Sequence, residues 1–213
     1  MFALATVVMM TMAFTACLSD DDDSKPIQDA VEYVDLGLPS GLKWATCNLG
    51  APKPEEYGDY YAWGETESKT TYKQNNYKWT KNKKLYTKYN KIDGLKILEP
   101  GDDAVTAKLG SQWRMPDTKE IEELMTECRW EWTQVNGIKG AKVIGSNGNY
   151  IFLPAAGHYE GSEIKEKGNA CSYWSSSLGN KTELANSIRF TSGAPKSSSK
   201  DRYFGFSVRP MRK

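Results

Sequence analysis

The sequence has little of what acid–base catalysis or long-range electrostatic attraction requires. Its 213 residues include one histidine, His158, and the 28 lysines and arginines are balanced by 27 acidic residues. A chain with almost no net charge has no strong field to attract nucleic acid or a membrane surface. Seven Trp, twelve Tyr and six Phe instead offer many surfaces for stacking or for packing a β-rich core. Recognition by local shape and chemistry is therefore expected, with no nucleic-acid partner.

Long apolar runs are missing beyond the N-terminus. Residues 1–16 carry no charged side chain and are rich in Leu, Val, Met, Phe and Ala. Their apolar core of about a dozen residues is short of the roughly 20 that a membrane helix needs. This layout is typical of an export signal. The sequence therefore predicts a signal peptide at 1–16, a flexible tether at 17–32 and one folded domain at 33–213.

Cysteine is scarce, and the first of the four cysteines directly follows the apolar segment. Phe14-Thr15-Ala16-Cys17 resembles the lipobox of bacterial lipoproteins, which implies that Cys17 is lipidated. The acidic run Ser19–Asp23 resembles the export tag of Bacteroidetes lipoproteins. We expect an outer-membrane protein that is lipid-anchored at the cell surface and meets the membrane through its anchor only. The alternative is that the acidic run is a solvated linker with no localisation signal.

The remaining sequence favours short strands, many turns and one clear helix. Leu36–Trp44 predicts a hairpin around Pro-Ser-Gly, and the Asn-Gly pair within Gly145–Asn149 predicts another. Asp117 with Glu120 forms a capping box before an apolar face of Ile121, Leu124, Met125 and Cys128. Thr70–Lys96, rich in Lys, Tyr and Asn, is expected to be a long solvated loop or hairpin. The pattern is that of an α+β domain.

Six sequence blocks resemble the Fibrobacter succinogenes major paralogous domain family. They are Val34–Ala45 (VDLGLPSGLKWA), Tyr57–Glu65 (YGDYYAWGE), Trp113–Pro116 (WRMP), Phe152–Gly157 (FLPAAG), Ser172–Ser176 (SYWSS) and Gly205–Pro210 (GFSVRP). The resemblance implies a C-type-lectin-like fold of short twisted antiparallel strands, one or two helices and long loops, related to formylglycine-generating enzymes. It also implies a surface lipoprotein, similar to domains that mutagenic retroelements diversify near the C-terminal end.

The chemistry that these relatives suggest has weak support in the residues. The oxidase activity of formylglycine-generating enzymes needs paired cysteines near the end of the domain, and no cysteine follows Cys171. His158 has no evident partner as a general base and is expected to be a loop or packing residue. The acidic stretch Glu99–Asp103 leaves calcium open as a cofactor, although an ordinary acidic turn is favoured. We expect no catalytic site and no cofactor.

A binding module is the favoured function, with a glycan or protein ligand and a monomeric domain. Polar loops on rigid strands commonly build binding surfaces. The candidate ligand-binding residues are Asn180, Glu183, Asn186, Arg189, Thr191, Lys196, Ser198, Lys200, Arg202, Tyr203 and Phe204. In Ser187–Thr191 alternation turns Ile188 and Phe190 inward, and at least one of Tyr203 and Phe204 is expected to be exposed. A structural or fimbrial-tip subunit is the alternative.

One disulfide is also expected after lipidation of the first cysteine. An oxidising compartment permits such a bond, and Cys47 and Cys128 are the favoured pair because both lie near framework blocks. Three pairings remain open in principle, since the sequence alone does not choose among three cysteines.

Overall fold

The computed structural model of the protein describes residues 31–82 and 84–213, so the predicted signal segment and Cys17 lie outside it. This part of the chain forms thirteen strands and two α-helices. The strands are β1 (Tyr33–Asp35), β2 (Lys43–Ala45), β3 (Thr80–Lys81), β4 (Leu85–Tyr86), β5 (Arg129–Val135), β6 (Ile138–Ile144), β7 (Tyr150–Pro154), β8 (His158–Glu160), β9 (Glu163–Lys165), β10 (Cys171–Leu178), β11 (Leu184–Phe190), β12 (Lys196–Asp201) and β13 (Met211–Arg212). The helices are α1 (Ala104–Leu109) and α2 (Thr118–Glu127), with 3-10 turns at Gln74–Asn76 and Pro100–Asp102.

The strands form several small antiparallel sheets rather than one large sheet. Three sheets have three strands each, in the orders β1-β2-β13, β5-β6-β7 and β10-β11-β12. The hairpins β3-β4 and β8-β9 form two further sheets of two strands each. Many short strands with two helices confirm the α+β class. Within the described residues, neither helix has the length and apolar character needed to cross a bilayer.

Both predicted hairpins are confirmed by the strand register. β1 pairs with β2 from Tyr33 opposite Ala45 to Asp35 opposite Lys43, and the turn between them closes with a 2.9 Å hydrogen bond from Gly41 N to Leu38 O. β6 and β7 are joined by Gly145–Asn149, where Gly148 has a φ of +84°. A positive φ at this position is readily adopted by glycine, which explains why the Asn-Gly signal was reliable.

Helix α2 begins as the sequence predicts. The Asp117 carboxylate accepts from the backbone N–H of Glu120 at 2.9 Å, and the Glu120 carboxylate accepts from the N–H of Asp117 at 2.8 Å. This reciprocal pair satisfies free amides of the first turn. Ile121 and Leu124 are buried on the inner face of the helix, and they pack against Phe190 and Ile188 of β11 in the same hydrophobic cluster. The helix thereby covers one face of the β10-β11-β12 sheet.

The Lys- and Tyr-rich segment Thr70–Lys96 is more structured than a solvated loop. It does contain the short β3-β4 hairpin, but four of its tyrosines are buried. Tyr72, Tyr77 and Tyr86 belong to one aromatic cluster and Tyr89 to another. The expectation of a largely solvated segment was wrong because these rings, spaced without a clear period, insert into the core from short strands and irregular backbone.

Candidate functional site

A small cleft lies between the start of α2 and the strands β11 and β12, which are the central strand and an edge strand of their sheet. Its volume is about 240 Å³. The lining residues are polar and uncharged apart from one apolar side chain, and they are Thr118, Ile121, Ser175, Asn186, Ser187, Ser197, Ser198 and Ser199. The cleft therefore presents hydroxyls and an amide to whatever enters it, with no formal charge in its wall.

The strand register brings the serines together. Asn186 lies opposite Ser199, Ser187 opposite Ser198 and Ile188 opposite Ser197. Directly opposed residues project to the same face of an antiparallel pair. Ser197 and Ser199 thus share the face of β11 that α2 covers. Because β12 is the outer strand of the sheet, the helix does not close over this end and the cleft stays open.

The side-chain amide of Asn186 is fixed in orientation by three hydrogen bonds. Its Nδ2 donates to Leu178 O at 3.1 Å and to Thr118 Oγ1 at 3.2 Å, while its Oδ1 accepts from Ser199 Oγ at 2.8 Å. The amide therefore links β10, β11, β12 and the first turn of α2. A polar network of this kind holds the cleft wall rigid.

One buried hydroxyl of β11, on the face of the sheet turned away from α2, has no partner within the described part of the chain. Ser187 is 4% exposed, and its Oγ makes no hydrogen bond. Leaving a buried hydroxyl unsatisfied costs about 1–3 kcal/mol. The neighbouring Ser175, by contrast, donates to Asn186 O at 3.1 Å and accepts from Ser177 N at 3.2 Å. Because Ser187 alternates with Asn186 and Ile188 along β11, its side chain lies on the same face as Arg189, turned away from α2, and its Oγ does not point into the cleft.

The predicted ligand-binding residues do not form one surface. Asn186 and Ser198 line the cleft, whereas Asn180 and Glu183 line a second pocket at the β10–β11 turn. The register places Arg189, Lys196 and Lys200 on the other face of the sheet, turned away from α2, because Arg189 opposes Lys196 and Ala185 opposes Lys200. There Arg189 Nε contacts Glu166 Oε2 at 3.3 Å. Thr191 is half-buried just beyond β11.

Lys196, Ser198 and Lys200, which the sequence predicts as ligand-binding residues of polar loops, do not lie in a loop but in strand β12. Its sequence of Lys, Ser and Asp has low strand propensity. Pairing with β11 over six residues overrides that propensity. The inward orientation of Ile188 and Phe190 is confirmed, as both are buried.

Arg202 and Phe204 were wrongly placed at the surface. Arg202 is fully buried, with its guanidinium 4.9 Å from the ring centres of Trp63 and Tyr86. It donates to Tyr77 Oη and to the carbonyls of Lys88, Tyr89 and Thr182. The guanidinium has five N–H donors in one rigid group, so it can satisfy hydrogen-bond acceptors from several chain segments at once.

Phe204 is 8% exposed and belongs to the hydrophobic core. Its ring stacks on His158 with centroids 5.7 Å apart. Tyr203 is half-buried and meets Phe204 edge to face at 5.1 Å. The expectation that at least one of these two residues is exposed was wrong, because Tyr203 is half-buried and Phe204 is buried.

The predicted disulfide between Cys47 and Cys128 is not formed. Cys47, Cys128 and Cys171 are all free thiols. Cys128 packs in the hydrophobic cluster beneath α2, whereas Cys47 lines a different pocket beside Pro210. Burial raises the pKa of Cys128 to about 11 and that of Cys171 to about 12, so both are protonated at neutral pH and are poor nucleophiles.

The acidic stretch that suggested calcium is engaged by protein groups. Asp102 accepts from Lys88 Nζ at 2.6 Å and from Tyr89 Oη at 2.7 Å, and Glu99 also pairs with Lys88. Asp103 caps α1 and accepts from Met115 N at 2.8 Å. These contacts match the ordinary acidic turn that the sequence analysis favoured.

His158 is a packing residue in the described structure. It is 7% exposed, and its ring lies 5.1 Å from that of Phe206. Burial lowers its pKa below the ordinary value of 6.5, outweighing the opposite effect of Glu166. Its Nδ1 lies 3.9 Å from Glu166 Oε2, too far for a hydrogen bond.

Sequence reasoning missed six residues of the cleft, namely Thr118, Ile121, Ser175, Ser187, Ser197 and Ser199. The serines around 198 carried a signal, because they lie in the polar stretch already singled out. Thr118 carried none, since its contact with Asn186 spans 68 residues of chain.

Comparisons of the chain with protein-family models, with curated proteins and with solved structures found no match.

Proposed function

We propose that the protein is a binding module whose serine-lined cleft accepts a neutral, hydroxyl-rich ligand such as one sugar unit of a glycan. The observation that carries this proposal is the uncharged wall of hydroxyls and one amide on the face of the sheet that α2 covers. Hydroxyls both donate and accept hydrogen bonds, so those of the cleft can act either as donors or as acceptors toward the hydroxyls of a sugar.

The size of the cleft supports a small unit. Pockets for drug-sized ligands run from roughly 300 to 1,000 Å³, and this one has about 240 Å³. Ile121 adds an apolar contact for the carbon face of a ring. A protein ligand remains the alternative occupant, but a typical stable interface covers about 800 Å² per partner, so it would have to extend well beyond the cleft.

The proposal includes the setting that the sequence implies. A C-type-lectin-like domain of the major paralogous family, held at the cell surface by a lipid on Cys17, would present the cleft to glycans outside the cell as a monomer. The resemblance of six motif blocks supports this placement, and the small antiparallel sheets with two helices are compatible with it.

A non-catalytic role is part of the same proposal. The buried, protonated thiols of Cys128 and Cys171 give no support to a formylglycine-generating type of oxidase. A structural or fimbrial-tip role would use a free sheet edge for strand addition. β12 is such an edge, but Lys196 and Lys200 lie within it, and edge lysines oppose strand addition.

A glycan array with the purified protein tests the proposal. The informative variant is Ser197→Tyr, which places a bulky side chain at an exposed position of the cleft wall. Ser192→Tyr, at an exposed position outside the cleft, is the matched control. We expect binding of a neutral glycan to fall at least tenfold in Ser197→Tyr and to persist in Ser192→Tyr. Equal binding by both variants would move the site elsewhere, and capture of proteins alone would favour the protein-ligand alternative.

A further inference from the structure

A second pocket lies at the turn between β10 and β11 and has a strong excess of positive charge. Its volume is about 320 Å³, and it is lined by Lys91, Lys96 and Lys181 together with the turn residues that follow Leu178. Glu183 is the one carboxylate in the lining. The pocket is therefore the opposite of the neutral cleft in its electrostatic character.

The three lysines are not neutralised by the described residues around them. Other lysines of the chain, including Lys69, Lys78 and Lys88, form ion pairs with carboxylates. Among the described residues, no such pair involves Lys91, Lys96 or Lys181, which are all exposed. Three like charges at one pocket repel each other unless an anion lies between them.

Asp93, the acid nearest in sequence to Lys91, is used by the backbone. Its carboxylate accepts from Asn90 N and Leu95 N, each at 3.0 Å. It thereby stabilises the turn that carries Lys91 and Lys96 and does not line the pocket.

The turn also supplies free backbone donors. Within the described part of the chain, the N–H groups of Asn180, Lys181, Thr182 and Glu183 donate to no protein acceptor. Successive free amides of a turn form a favourable site for an anion. The Asn180 side chain, which is exposed, adds an amide donor at the same place.

The pocket is held on a rigid frame. Leu178 N donates to Lys96 O at 2.7 Å. This hydrogen bond joins the end of β10 to the segment that carries Lys91 and Lys96. From behind, the buried guanidinium of Arg202 donates to Thr182 O at 3.0 Å. The Arg202 guanidinium has no carboxylate among its hydrogen-bond partners. Its positive charge thus lies on the inner side of the turn.

We propose that this pocket binds a phosphate or sulfate group. Both anions offer several oxygens to lysine ammoniums and backbone N–H groups, and a free anion, a substituted sugar or a lipid headgroup could present them. The inference does not depend on the neutral cleft, because the two sites have different linings and take ligands of different charge.

NMR titration at constant ionic strength tests the inference. Inorganic phosphate, glucose 6-sulfate and vesicles that contain phosphatidylglycerol are compared with sodium chloride, and the amide signals of residues 179–183 are followed. Lys181→Gln and Lys96→Gln are the test variants, and Lys139→Gln, an exposed lysine on β6, is the control with the same loss of charge.

We expect saturable shifts of the turn amides with the two soluble anions, and at least fivefold weaker binding in Lys181→Gln and Lys96→Gln but not in Lys139→Gln. Vesicle binding with the same variant pattern would identify a headgroup as one source of the anion. Three results would overturn the inference: equal shifts with chloride, equal weakening in all three variants, or vesicle binding without any response to the soluble anions.

Discussion

Arg202 Nε donates a 2.9 Å hydrogen bond to Tyr77 Oη in the interior of the domain, across 125 residues of sequence. Tyr77 Oη in turn donates to Trp63 O. The pair joins the C-terminal region to the Tyr-rich segment and to the segment that carries Trp63. A residue that the sequence assigned to ligand binding is therefore a central part of the folded structure.

Replacing Arg202 with Met is expected to cost at least about 3 kcal/mol of unfolding free energy. Tyr77 Oη and three carbonyls lose a donor, and an unsatisfied buried polar group costs about 1–3 kcal/mol. Arg189→Met is the control, since the Arg189–Glu166 pair is partly exposed and such pairs contribute about 0–1 kcal/mol. Urea unfolding measures both, and similar small losses in the two variants would contradict the structural role of Arg202.

His158 should have a pKa below 6.5 in the folded protein, because burial disfavours its charged form. At pH values well above 6.5 the residue is neutral in both states and contributes no pH dependence. Below 6.5 the unfolded chain takes up the proton first, so stability falls until the pH reaches the folded pKa. As the sequence has one histidine, its proton NMR titration is unambiguous. A pKa above 6.5, or the same loss of stability below pH 6.5 in His158→Phe, would disprove this account.

The three thiols of the folded domain should differ in reactivity. Cys47 is half-exposed, whereas Cys128 and Cys171 are 8% and 1% exposed. Brief alkylation of the native protein, followed by mass spectrometry of the digest, should modify Cys47 first and all three after denaturation. A peptide pair linked through Cys47 and Cys128 in a non-reduced digest would restore the disulfide that the structure lacks.

Cys17 is expected to carry the lipid anchor. Cys17→Ala should move the protein from the membrane fraction to the soluble fraction and abolish labelling with palmitate analogues. Cys47→Ala should change neither property. Retention of Cys17→Ala in membranes with unchanged labelling would show that the anchor lies elsewhere.

Local signals in the sequence predicted local structure well. The Asp117–Glu120 capping box and the Asn147-Gly148 turn depend on neighbours within a few residues, and both are present. Alternation in β11 also identified Ile188 and Phe190 as core residues. These features need no knowledge of distant contacts.

Non-local contacts explain most of what the sequence did not predict. Arg202 and Phe204 look like surface residues beside polar neighbours, yet they pack against Tyr77 and His158 respectively, which lie more than 40 residues away in sequence. The same holds for the cleft, where Thr118 meets Asn186. β12 has weak strand propensity and forms through its pairing with β11. Pairing of this kind depends on the sheet register, which a single sequence does not display.

The most direct test of the proposed function is NMR mapping of the glycan that the array identifies. The account predicts saturable shifts at the amides of Asn186, Ser187 and Ser197–Ser199, with no comparable change at Arg189, Lys196 or Lys200, whose side chains lie on the other face. The Ser197→Tyr variant should show none of these shifts. A glycan that binds with its largest shifts outside the cleft, and equally well to Ser197→Tyr, would contradict the account.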